Sequence, residues 1–266
     1  MKIIDIHTHI VYGIDDGAAD LDESLKLMGL AYEQGVRGIF CTNHSYGMSF
    51  GENYKKYHDR FEELREKAAE KYPGLGLYKG CEVLCYKDEM PEIMERVYSG
   101  MYPSMNGTKC LLMEFDPKGT RGMDEACACA QYALDSGYVP IIAHAERYNP
   151  FYDDPLQDVI RLREMGCLVQ INLYSVEQDR SIRKELANLF LKHHQVDLVG
   201  TDTHSLTYKR TEGLVGAEAL ERKYGKEYAE EVLWKKGERM IGVDKPIAGG
   251  TASIKNSSCI ANNSML

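Results

Sequence analysis

Short apolar, β-branched runs recur along the chain, and each is followed by a longer stretch whose apolar residues return every third or fourth position. The short runs predict strands at 2–7, 37–42, 76–82, 109–115, 138–143, 167–172 and 196–201. The longer ones predict helices over 20–35, 54–71, 123–136, 155–166 and 178–194, with two more at 212–223 and 226–241. Asp20 stands ahead of the first helix with Glu23 three residues on, a capping-box pattern. Gly35, Gly137 and Gly166 fall where helices should end, as C-terminal caps do.

Strand–helix alternation implies parallel strands joined by right-handed crossovers. Seven such units fit an α/β fold with a closed or nearly closed barrel better than an open nucleotide-binding sheet. No GxGxxG joins the first strand to the first helix, and no GxxxxGK[ST] occurs anywhere. A length of 266 residues suits one such domain. The expected domain is 1–242, followed by a poorly ordered tail at 243–266 that is rich in Gly, Ser and Asn.

A net charge of −9 argues against a nucleic-acid-binding face. It leaves an anionic substrate open, because metal ions supply positive charge locally. The opening MKIIDIHTHI cannot serve as a signal-peptide core, and no run approaches the roughly 18 apolar residues of a membrane span. The expected location is cytoplasmic. Of the eight cysteines, Cys127 and Cys129 fall in a helix and read as small buried residues.

The informative pattern is positional. The first strand ends in His7 and His9, the second in His44, the third in Glu82 and the fourth in Glu114. The fifth ends in His144 and the seventh in Asp202 and His204, while the sixth offers Asn172. Ligating groups thus gather at the C-terminal face, where barrel enzymes place their sites. His7 and His9 share a strand face, and Asp5 on that face is a candidate acceptor that fixes a histidine tautomer. Glu114 lies among hydrophobic residues, where a buried carboxylate needs a cation. Cys81 points to the opposite pleat face from Glu82 and reads as packing. Three histidines stand apart: His58 on a charged helix reads as solvated, and His193 and His194 end a helix where a cation suits the dipole.

Imidazole and carboxylate ligands without thiolate suit manganese, iron or zinc. Two such ions can share a water, lower its pKa and clamp the oxygens of an in-line displacement. Arg147, three residues after His144, is placed to clamp a phosphate, and Lys209 and Arg210 follow Asp202 and His204 as further anion contacts. Arg147 and His204 are the candidates for direct catalytic roles, with His204 or a metal-bound water as the proton source. A cysteine-based phosphatase is excluded, since no Cys has an Arg six positions on.

The motifs HTH, TNH, GCE, IAHAERY and TDTH, in this order over most of 1–210, resemble the polymerase-and-histidinol-phosphatase (PHP) superfamily. More narrowly, DIHTHIVYGIDDGA with AHAERY resembles the bacterial manganese-dependent tyrosine phosphatases of capsule and exopolysaccharide synthesis. The resemblance implies a distorted seven-stranded, TIM-like (β/α)7 barrel with three metal ions. His7, His9, Glu82 and Asp202 would hold one, and Glu82 would bridge to a second completed by Glu114 and His144. His44 and His204 would hold the third. Arg147 and one of Lys209 or Arg210 would grip phosphate, and the substrate would be a phosphotyrosine protein or peptide such as a bacterial tyrosine kinase. Asn43-His44-Ser45 departs from the family pattern, which has proline before that histidine and a second histidine after it. The proline-rich stretch expected after TDTH is absent too. Both departures bear on substrate choice. The rival readings are a PHP phosphatase for histidinol phosphate or a nucleotide, and a metal-stabilised barrel that binds a partner without catalysis.

Overall fold

Asp20 caps the first helix as its position predicts. Its Oδ1 accepts the Glu23 N–H at 2.9 Å, and Glu23 Oε2 accepts the Ala19 N–H at 2.9 Å. That helix, α1 (Leu21–Glu33), buries Ser24, Leu27, Met28 and Ala31 along one stripe. It ends just before Gly35, whose φ of 91° only glycine adopts cheaply. The same strand-then-helix unit repeats through the computed structural model, which describes residues 1–48, 53–116, 122–208 and 213–242.

Strands β1 (Ile3–Thr8), β2 (Val36–Cys41) and β3 (Gly76–Lys79) form one sheet in that order. A second sheet runs β4 (Glu82–Leu84), β5 (Cys110–Glu114), β6 (Val139–Ile142), β7 (Leu168–Asn172) and β8 (Leu198–Gly200). Every pairing is parallel. The intervening helices are α2 (Ser45–Met48), α3 (Asn53–Lys71), α4 (Met90–Tyr98), α5 (Met123–Asp135), α6 (Pro155–Glu164), α7 (Leu173–Glu177) and α8 (Ile182–Lys192). After β8 come α9 (Gly213–Tyr224), α10 (Lys226–Glu230) and α11 (Lys236–Ile241), the last two joined by a π-helical turn over Glu231–Lys235.

The expected closed barrel of seven strands differs from what is observed: eight strands among the described residues, in two sheets, neither of them closed. The predicted third strand breaks between β3 and β4, beside the hydroxyl of Tyr57. Its Oη lies 2.8 Å from Cys41 O and 2.9 Å from Gly80 O, and Gly80 N still donates to Cys41 O at 3.1 Å. Pairing resumes when Glu82 N donates to Thr42 O at 3.1 Å. Isolated bridges link the sheets at His44–Glu82 and at Thr8–Thr203.

Two apolar clusters hold these layers. The larger packs the inner faces of the helices against the strands, and buries Cys81, Cys127 and Cys129 as the sequence suggested. The smaller draws Ile4, Ile6, Phe40, Leu112, Ile141 and Leu198 from five strands. Each such side chain contributes about 1.5–3 kcal/mol when fully buried. His58 is half-buried, not solvated as expected: its ring lies edge-on to Tyr54, with centroids 4.5 Å apart. His193 caps α8 and is exposed. Lys209, Arg210 and the 243–266 tail lie outside the described residues. No helix among the described residues is long and apolar enough to cross a membrane.

Candidate metal centre

The strand ends converge as their sequence positions suggested. His7, His9, Glu82 and His204 are fully buried, His144 and Asp202 are 2% exposed, and His44 is 7% exposed. Glu114, with a side chain 19% exposed, stands at the rim. Glu82 is central. Its Oε2 lies 3.2 Å from His7 Nε2, 3.2 Å from His9 Nε2 and 3.0 Å from His44 Nδ1. Its Oε1 lies 2.9 Å from His144 Nε2, and Glu114 approaches His44 Nδ1 and His144 Nε2 at 3.5 Å each. Asp202 Oδ1 lies 3.7 Å from His7 Nε2 and 3.5 Å from His9 Nε2.

Close as these contacts are, Glu82 Oε2 and His44 Nδ1 are buried without an aligned hydrogen bond. Nε2 of His7 and Nε2 of His9 stand only 3.2 Å apart. Nitrogen lone pairs crowded around a carboxylate oxygen, unaligned for hydrogen bonding, are a poor core and a good cation cage. Three groups have ligand atoms close enough together to hold an ion: His7 with His9 and Glu82; His44 with Glu82 and Glu114; and His9 with Asp16, His44 and His204. Burial opposes ionisation of Glu82, but the His7 and His44 rings outweigh it and hold the carboxyl well below the usual range.

Two residues of this centre were missed in the sequence. Asp15 Oδ2 accepts from His9 Nδ1 at 2.9 Å and from the His44 backbone N–H at 2.7 Å. Asp16 Oδ1 lies 3.7 Å from His44 Nε2 and 3.5 Å from His204 Nε2. Their signal was available: adjacent aspartates between glycines, in the loop after the first strand on the ligand-bearing face. Asn43 turns the family departure into a support for that loop, since its Nδ2 donates to Asp15 Oδ1 at 2.8 Å and to Val11 O at 3.0 Å.

Asp5 does something other than expected. It accepts from Thr201 N at 2.9 Å and from Thr201 Oγ1 at 2.5 Å, so it ties β1 to the end of β8 and contacts no imidazole nitrogen. The partner of His7 Nδ1 is Gln170 Oε1 at 3.2 Å, and that oxygen also accepts the His144 N–H at 2.7 Å. Gln170 Nε2 donates to Asn172 Oδ1, and Asn172 Nδ2 to Asp202 Oδ2, at 2.9 and 3.2 Å. His204 Nδ1 donates to Asp202 O at 2.8 Å, which presents Nε2 to the cluster. His144 and Asp202 hold φ of 32° and 56°, a left-handed backbone that bulky residues adopt only under constraint.

Arg147 sits at the mouth, its Nη1 donating to Asp202 Oδ2 at 3.0 Å. It opens onto a cleft of about 430 Å³ whose lining includes Asp202, Tyr174 and Tyr208.

A parallel α/β fold with buried imidazoles and carboxylates gathered at its strand ends defines the class: a candidate metallohydrolase. The chain belongs to the CpsB/CapC family of capsular polysaccharide synthesis, whose family model matches residues 3–242. Its curated relatives are tyrosine-protein phosphatases. CpsB of Streptococcus pneumoniae is 30% identical over 237 residues, which are 87% of this chain and 95% of CpsB. YwqE of Bacillus subtilis is 26% identical over 234 residues, 85% of this chain and 86% of YwqE. The fold is similar to a chain from the crystal structures of YwqE and CpsB, described as unique metal-dependent tyrosine phosphatases. That match has a TM-score of 0.77 and 23% identity, and covers 96% of this chain and 100% of the other.

Proposed function

We propose that the protein is a metal-dependent phosphatase that hydrolyses phosphotyrosine on a protein or peptide, including a tyrosine kinase of a capsule-synthesis system. The observation that carries this reading is Glu82 Oε2, ringed by three imidazole nitrogens and buried without an aligned hydrogen bond. We assign three ions. His7, His9, Glu82 and Asp202 would hold the first, Glu82 with Glu114 and His144 the second, and His44 and His204, with Asp16, the third. The nitrogen and oxygen donor set, free of thiolate, suits manganese, iron or zinc without choosing among them, and manganese is put first on the resemblance to manganese-dependent phosphatases. We read the two sheets as one distorted seven-stranded barrel in which β3 and β4 count as a single interrupted strand, and 1–242 as one domain.

When bound, the ions supply Lewis acidity, lowering the pKa of water and neutralising phosphoryl charge. Arg147 presents its guanidinium beside Asp202, where it grips a phosphoryl oxygen and fixes the ester in the cleft. Asp15, Gln170 and the Asp202 carbonyl each engage the Nδ1 of one histidine and so aim its Nε2 at the cluster. With Nδ1 donating to Asp202 O and Nε2 turned to the cluster, His204 serves as a ligand, and the departing phenolate, whose pKa of about 10 asks for little help, takes its proton from water. The test is phosphate release from a phosphotyrosine peptide compared with histidinol phosphate and a nucleotide. The reading expects the peptide to be turned over best, and it fails if a small ester is preferred by tenfold or more.

A further inference from the structure

Resting on that reading, we infer that Tyr174 and Tyr208 are the walls that select an aromatic phosphate ester over an alkyl one. Both side chains line the cleft that Arg147 and Asp202 open onto. A phosphoryl group gripped by Arg147 beside Asp202 leaves its organic substituent in that cleft, between the arginine and the two rings.

Both rings are exposed, Tyr174 by 46% and Tyr208 by 62%, yet both stand on firmly held backbone. Tyr174 lies on α7, which the buried Glu146 anchors by accepting from Asn172 N at 3.1 Å and Ser175 Oγ at 2.8 Å. Glu146 is the residue before Arg147, so one short segment sets both the phosphate clamp and the helix that carries the ring. From the other side α9 closes on α7: a Cβ at Gly216 would meet Leu173 O at 2.1 Å. Tyr208 ends a tight turn that begins next to His204. Ser205 N donates to Tyr208 O at 3.0 Å, and Ser205 Oγ accepts the Tyr208 N–H at 2.9 Å. Leu206 N donates to Glu23 Oε1 at 2.9 Å and pins the turn to α1.

Exposed aromatic rings on fixed backbone lose little freedom when a flat partner binds, because tyrosine has two side-chain torsions to hold. Ring-on-ring contact then adds to the apolar burial of the substituent. The polar cluster behind the cleft offers nothing comparable to an alkyl group.

The experiment uses calorimetric binding of phenylphosphonate and methylphosphonate to the manganese-loaded protein, two probes with no ester to break. The wild type binds the phenyl compound about tenfold more tightly. Combined Tyr174→Ala and Tyr208→Ala substitution lowers that ratio to about twofold, whereas combined Tyr174→Phe and Tyr208→Phe substitution keeps it. Tyr132→Ala, on an exposed ring of α5 away from the cleft, leaves it unchanged. A wild-type ratio near one, an undiminished ratio in the double alanine variant, or loss in the phenylalanine variant overturns the inference. Phosphotyrosine peptide assays run on the same samples separate the two claims. Turnover without a phenyl preference defeats this inference alone, and a phenyl preference without turnover defeats the phosphatase reading alone.

Discussion

Asp15 Oδ2 accepts from His9 Nδ1 at 2.9 Å and from the His44 N–H at 2.7 Å, so one carboxylate orients two candidate ligands from different strands. Burial works against its ionisation, but the charge and hydrogen bonds of His9, with those of His44, hold the carboxyl well below the usual range. Asp15→Asn keeps the shape and removes the charge. Partners of this kind are worth about 10- to 100-fold in metal affinity. Manganese titration of the variant should show a loss of that size in an otherwise folded protein.

Glu82→Gln removes the oxygen on which three imidazoles converge. At 1.36 kcal/mol per tenfold, several kcal/mol of lost charge stabilisation amounts to about a thousandfold in turnover. The metal-stripped variant should also melt lower than the metal-stripped wild type, because the carboxylate that the His7, His44 and His144 rings stabilise is gone. Thermal unfolding in chelator beside phosphate release in manganese checks both halves.

His144 supplies a pH dependence with a definite sign. Burial and the adjacent Arg147 oppose its charged form, yet the Glu114 and Glu82 carboxylates prevail and raise its pKa from 6.5 to about 9. A raised pKa stabilises the fold fully below the unfolded value and is lost as pH climbs through the folded one. The metal-stripped chain should therefore lose stability between pH 6.5 and 9. Ions compete with that proton and bind better as pH rises, so the gap in Tm between loaded and stripped protein should widen across this window.

Gly200 tests the packing beneath the site. A Cβ there would meet His7 Cβ at 2.5 Å, and Gln170 Nε2 and His7 N at 3.2 Å each. Gly200→Ala should cost about 1–3 kcal/mol in urea unfolding and weaken metal binding through the displaced His7.

How far the sequence could be read follows from where each signal lives. His7, His9, Glu82, Glu114 and His144 lie at or just beyond strand ends, and apolar periodicity marks strands, so their convergence followed from the α/β alternation. Asp15 and Asp16 sit in a loop, where periodicity says nothing, and their role depends on the loop folding back across His9 and His44. Gln170 was hidden inside an apolar strand, although a mid-strand glutamine is itself unusual. The assignment of tautomer fixing to Asp5 failed because strand alternation gives a face but not a partner, and Thr201 across β8 claims that carboxylate. The break between β3 and β4 falls at Gly80 and Cys81, inside an apolar run whose periodicity does not mark it. Helix α4, only nine residues long, was too short for its period to stand out.

The central claim is that the buried cluster is a metal centre that hydrolyses phosphotyrosine. Its most direct test is turnover of a phosphotyrosine peptide by protein stripped with chelator to below about a tenth of an ion per chain, before and after manganese is restored. Stripping should lower the rate by at least about a hundredfold, a loss of roughly 2.7 kcal/mol of transition-state stabilisation, and add-back should recover it. Full activity in the stripped protein, or none after manganese is restored to three ions per chain, would contradict the account.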